Sequence, residues 1–179
     1  MSASRPPPPP PTLVVGLGSA DRGDDAVGGH VARALAALED PRVVVAQYAD
    51  PTDLIELWTG RDRVVVVDAT CSGAAPGTLR LLETGTQQSP LPEAAWVRTG
   101  RGGTHAFGLA AAVELARALR RLPAHVTVVG VEAATLEPGA PLSPAVAAAV
   151  PAAVAAVLDA VAGPVGARAR QGGSADVPG

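Results

Sequence analysis

The chain has 179 residues, enough for one domain with a substantial core and too few for two. Hydrophobic residues make up 47% and aromatics only 2%, which excludes a disordered chain and leaves Val, Leu and Ala to build the core, as in a parallel sheet under Ala-rich helices. A net charge of −3 without any basic run argues against a nucleic-acid partner, and a single cysteine excludes an internal disulfide framework and fits a reducing compartment.

Pro6 to Pro11 form an uninterrupted proline run where a signal peptide would need an apolar core. Residues 1–11 are therefore expected to be a stiff polyproline II extension, or else a ligand for a proline-binding module. Thr12 to Leu17 reads as a buried first strand ending at Gly18. Asp24 to Leu38 has Val27, Val31, Leu35 and Leu38 at helical spacing. Arg42 to Tyr48 is a second strand. Asp50-Pro51 then opens a helix whose face is Leu54, Ile55, Leu57 and Trp58. Arg63 to Val67 is the most β-branched run and reads as the central strand.

The connection from Asp68 to Gly77 is too short for a helical crossover, which takes roughly a dozen residues. The strand Thr78 to Glu83 is therefore expected to run antiparallel. Thr104 to Arg121 reads as a long helix with Leu109, Val113, Leu115 and Leu119 inward, and Val126 to Val131 as the last strand. Ser143-Pro144 caps a final helix running to about Val161 and kinked at Pro151. The apolar stretch Ala145 to Leu158 within it is too short to span a bilayer. Residues 163–179 lack periodicity and read as a disordered tail. The sum is one α/β domain over residues 12–162: a three-layer sandwich with a mostly parallel five-stranded twisted sheet, one strand antiparallel, and helices on both faces. A cytoplasmic protein with no membrane partner is expected. Its site belongs at the carboxyl ends of the strands, near a switch in strand order.

The first strand leads into Gly16-Leu17-Gly18-Ser19-Ala20-Asp21-Arg22-Gly23-Asp24-Asp25-Ala26-Val27-Gly28. A nucleotide-binding reading fails on spacing, since the third glycine comes too late for G-x-G-x-x-G and no Gly-Lys-Ser/Thr follows. It also fails on charge, because Asp21, Asp24 and Asp25 crowd the place of a phosphate. The loop suits a cation, although either Asp24 or Asp25 can also serve as a helix cap. Asp68 follows four valines at the end of a buried strand, where a carboxylate needs a partner or a metal. His105 follows Gly102-Gly103-Thr104 at a helix start. Two carboxylates and an imidazole form an open site for a transition metal. His30 and His125 carry weaker cases. Cys71 with His105 as base is a distant alternative of the cysteine-hydrolase kind.

In register these motifs resemble those of the hydrogenase maturation proteases. Gly16-x-Gly18…Gly23-Asp24-Asp25-x-x-Gly28 is similar to their first motif, and Val65-Val66-Val67-Asp68-Ala69 with Pro76-Gly77-Thr78 to their second. Thr104-His105-x-x-Gly108-Leu109 is similar to the third. Val129-Gly130-Val131-Glu132, Gly139, Leu142-Ser143-Pro144 and Pro151 complete a resemblance spanning residues 12 to 161.

The resemblance implies an endopeptidase, aspartyl-type by its carboxylates, that removes the C-terminal extension of a nickel-containing hydrogenase large-subunit precursor after nickel insertion. Asp25, Asp68 and His105 are the implied catalytic and nickel-contacting residues. The nickel is recognised in the precursor, and no tightly bound cofactor of the protease itself is expected. Asp24 is left as the cap of the first helix. A non-catalytic nickel- or precursor-binding chaperone on the same fold shares every one of these residues. The sequence departs from the family pattern in having Asp25 where Glu is frequent, Ser19 where Asn is frequent, and Asp50-Pro51-Thr52 where Gly-Gly-Thr is expected.

Overall fold

The computed structural model describes residues 10–91 and 108–163. His105, the Gly102-Gly103-Thr104 approach and nearly all of both expected tails lie outside the described residues. The strands are β1 (Thr12–Leu17), β2 (Val43–Tyr48), β3 (Arg63–Thr70), β4 (Leu79–Thr84) and β5 (His125–Glu132). The helices are α1 (Val27–Ala36), α2 (Leu54–Leu57), α3 (Leu109–Ala118) and α4 (Pro144–Ala162). The sheet order is β2-β1-β3-β5-β4, with β3 at the centre and β4 alone antiparallel, paired to β5.

The valine-rich strands are continuous apolar runs because helices cover both faces of the sheet. Alternation along each strand then sorts the core into two halves. Leu13, Val15, Val64, Val66, Val126 and Val128 pack with Leu54, Trp58, Leu109 and Val113 from α2 and α3. Val14, Val65, Val67, Val129 and Val131 pack with Val27, Val31 and Leu35 of α1 and with Val146, Ala153 and Val157 of α4.

Several boundaries differ from the expectation. The first helix opens as a 3-10 turn, Gly23–Ala26, and its α-helix stops at Ala36, leaving Leu38 exposed beyond it. The third helix is described only from Leu109, and Leu115 and Leu119 are exposed. Ala112 and Ala116 join Leu109 and Val113 on the buried face instead. The final helix runs through Pro151, an exposed position, as its sequence implied. At 19 residues and a mean hydropathy of 2.1 it is, by length and composition, long and apolar enough to cross a membrane, which corrects the shorter stretch read from the sequence. Its carboxyl end is fastened by Arg63, whose guanidinium donates to the carbonyls of Ala160, Val161 and Gly163 at 2.8–3.3 Å.

Two glycines allow close backbone approach, Gly28 of α1 onto the sheet and Gly18 onto the 3-10 turn. A Cβ at Gly28 would stand 2.6 Å from the carbonyl oxygen of Val67 and closer still to that of Leu17. Gly18 has φ +114, a backbone conformation suited to glycine, and a Cβ there would strike the Asp25 carbonyl. The glycines of the first loop therefore serve close backbone approach rather than phosphate binding.

Candidate active site

β1 and β3 run side by side from Leu13↔Val64 to Gly16↔Val67, and there they part. β1 ends at Leu17, and Gly18 N–H continues toward β2 by donating to the Tyr48 carbonyl at 3.0 Å. β3 instead continues against β5 through Asp68↔Gly130, Ala69↔Val131 and Thr70↔Glu132. Asp68 is thus the first residue of β3 beyond its pairing with β1. It lies inside the strand rather than past its end, as the sequence suggested, because β5 carries the ladder on to Thr70. Such a parting, where neighbouring strands turn to opposite sides, is the crevice in which open α/β sheets keep their sites.

Asp68 is half-buried and accepts from the Ala69 N–H at 2.9 Å. Asp25 enters from the other side of the parting, on the 3-10 turn that packs against β3. It is 8% exposed, and its Oδ2 accepts from the Ser19 N–H at 3.0 Å. The bond closes the glycine loop over the carboxylate and leaves Oδ1 unused by it. Among the described residues no three of His, Cys, Asp and Glu gather as a metal site. The third residue of the expected trio, His105, lies outside them.

Asp24 does something other than the helix capping expected of it. It is fully buried, and its carboxylate receives the N–H groups of Ala134 (2.8 Å), Thr135 (3.1 Å) and Ser143 (2.6 Å) and the Ser143 hydroxyl (2.9 Å). None of these donors is in the first helical turn; all belong to the β5–α4 connection. Burial alone would raise the Asp24 carboxyl, but the hydrogen bonds from Ser143, Ala134 and Thr135 outweigh it and hold the group below its ordinary value. Main-chain bonds reinforce the strap: Asp24 N–H to Thr135 O, Gly23 N–H to Ala140 O, and Gly139 N–H to Asp21 O. The neighbouring aspartates therefore divide the work. Asp24 ties two loops together, and Asp25 remains at the crevice.

Glu132 is a buried carboxylate for which sequence reasoning assigned no role. It accepts from Thr70 Oγ1 (2.9 Å), Ser72 Oγ (2.8 Å) and Gly73 N–H (2.8 Å). Burial pushes its carboxyl up, and the bonds from Ser72, Thr70 and Gly73 bring it below the ordinary value. Cys71 lies between two of these partners, only partly exposed. Asp50 caps the turn Pro51–Asp53, accepting from Thr52 N–H and Oγ1. Beside the Asp24 strap, a depression of about 440 Å³ is lined by Ala26, His30, Pro141, Leu142 and Val150 among others.

The family model described as HycI, hydrogenase maturation protease, matches residues 30–160. The chain belongs to the hydrogenase maturation protease family. The family match takes in Asp68 and begins just after Asp25. The Hydrogenase 2 maturation protease of Escherichia coli (strain K12) is 29% identical over 146 residues, covering 77% of this chain and 82% of that protein. The solved structure of the hydrogenase maturating endopeptidase HybD from E. coli superposes with a TM-score of 0.66 at 28% identity, covering 84% of this chain and 91% of that one. A [NiFe] hydrogenase maturation protease, HybD from Thermococcus kodakarensis, shares the fold with a TM-score of 0.61 at 24% identity over 84% of this chain and 99% of its own. As a hydrogenase maturation protease the chain is a hydrolase of peptide bonds.

Proposed function

We propose that this protease removes the C-terminal extension of a nickel-containing hydrogenase large-subunit precursor once nickel has been inserted, and that Asp25, Asp68 and His105 contact the precursor's nickel. The observation that carries the reading is the parting of β1 and β3, with Asp25 on one side and Asp68 on the other. Carboxylate oxygens and an imidazole nitrogen are suitable donors to a divalent transition metal, and three of them leave coordination positions for the precursor's own ligands. A cation shared in this way can polarise a scissile carbonyl and make a bound water more acidic. The metal is part of the substrate in this reading, and the protease needs no tightly held cofactor.

The test is processing of a purified large-subunit precursor, prepared with and without nickel and followed by intact mass. The expected result is loss of one C-terminal peptide from the nickel-loaded form alone. Binding without cleavage, or cleavage that ignores nickel, overturns the proposal.

A further inference from the structure

The connection from β3 to β4 leaves the strand two residues after Asp68 and returns at Leu79. Most of its anchors converge on one residue. The Glu132 carboxylate takes Thr70 Oγ1, Ser72 Oγ and Gly73 N–H at the outgoing end. The Glu132 main chain takes the returning end, accepting from Gly77 N–H at 2.8 Å and donating to Thr78 O at 2.9 Å. Any residue could make the main-chain bonds. A carboxylate of this length accepts all three side-chain bonds at once and strengthens each with its charge, because it has lone pairs for several donors and offers no hydrogen to clash with them.

We infer that Glu132 is a positioning residue of the proteolytic site: through Thr70, Ser72 and Gly73 it fixes the backbone that follows Asp68, and so the aim of the Asp68 carboxylate across the crevice. The inference rests on the assignment of Asp68 to the site. Asp68 accepts from the N–H of the very next residue, Ala69, and that bond ties its orientation to the local backbone. The ladder with β5 holds that backbone as far as Thr70, and where the chain leaves the ladder the Glu132 carboxylate holds it through the Thr70 and Ser72 hydroxyls and the Gly73 N–H. A glutamine at position 132 keeps the shape but removes the charge that strengthens all three bonds, and its NH2 group either forfeits the Gly73 N–H or reverses the two hydroxyl bonds. A reacting group moved by a fraction of an ångström lowers turnover more than binding.

The experiment compares Glu132→Gln with Asp68→Asn on nickel-loaded precursor, well below the melting temperature. Glu132→Gln is expected to lower kcat about tenfold or more, with KM within about twofold of the parent. Amide exchange at Gly73 should be faster in the same variant, a readout independent of activity. A residue that merely supports the fold would lower the melting temperature and leave kcat unchanged. Normal kcat and KM in Glu132→Gln, alongside an inactive Asp68→Asn, overturns the inference and leaves the site assignment standing. Normal processing by Asp68→Asn overturns the assignment and the inference with it. If Glu132→Gln does not fold, the double variant Thr70→Val, Ser72→Ala removes the donors from the other side and must show the same fall in kcat.

Discussion

Ser143 and Asp24, 119 residues apart, are joined twice: the Ser143 N–H meets Oδ1 at 2.6 Å and its hydroxyl meets Oδ2 at 2.9 Å. The same Ser143 hydroxyl accepts from the Val146 N–H at the start of α4. The residue that begins the last helix is thereby locked to the turn that begins the first, and the β5–α4 connection is held against that turn.

Asp24→Ala should be costly in stability. A lost helix cap costs about 1 kcal/mol. Here four donors lose a buried acceptor at once, and a buried donor left unmatched costs about 1–3 kcal/mol. The expected loss is about 3 kcal/mol or more, a fall in melting temperature on the order of 10 °C. Thermal unfolding followed by circular dichroism measures it. A fall of only a few degrees would return Asp24 to the role of an ordinary cap.

Acid should weaken the fold through the same carboxylates. Asp24 and Glu132 both lie below their ordinary values of 3.8 and 4.5 in the folded chain. Their contribution is complete above those values. It is lost as the pH falls through them toward the lower folded ones, because the unfolded chain takes up its protons first. Urea unfolding from about pH 6 to about pH 3 should show parental stability falling in the lower part of that range, with a shallower fall in Asp24→Asn. Parallel curves would contradict the assignment.

Asp25 and Asp68 should behave in the opposite way to Asp24. Asp25→Asn keeps an oxygen for the Ser19 N–H and removes the charge, so stability should stay near that of the parent while processing of nickel-loaded precursor is nearly abolished. Asp68→Asn should do the same. Asp25→Glu should retain partial activity, because the carboxylate survives on a longer arm. Melting temperature and cleavage measured together decide the matter, and an active Asp25→Asn would remove that residue from the site.

Gly28→Ala should disturb the fold at the base of the crevice. The added methyl meets the carbonyls of Leu17 and Val67, both main-chain atoms with little room to yield. Overpacking of this kind costs about 1–3 kcal/mol, and more where backbone must move. Denaturant unfolding of the variant is the check. Full parental stability would mean that α1 slides freely on the sheet.

Much of this architecture was legible from local patterns. The valine runs marked the strands and the central place of Arg63–Val67, because a doubly covered sheet leaves no polar alternation. The short link after Asp68 foretold an antiparallel β4, since a parallel return needs a longer crossover. Asp50-Pro51 and Ser143-Pro144 announced the starts they occupy, because capping uses neighbours in sequence. Asp68 was singled out by its position after a buried run.

The roles of Asp24 and Glu132 were decided only in three dimensions. Both carboxylates looked like ends of elements, and their sequence neighbours are the same in either role. The donors that define Asp24 lie 110 to 119 residues away. Those that define Glu132 lie 59 to 62 residues away. The inward face of α3 is half legible for a related reason: Leu109 and Val113 are buried as their spacing implies, but Leu115 and Leu119 are exposed and Ala112 and Ala116 are buried instead. Periodicity reports which side chains share a face. Only packing decides which face is turned inward and which carboxylate finds donors, because those energies belong to groups brought together by the fold.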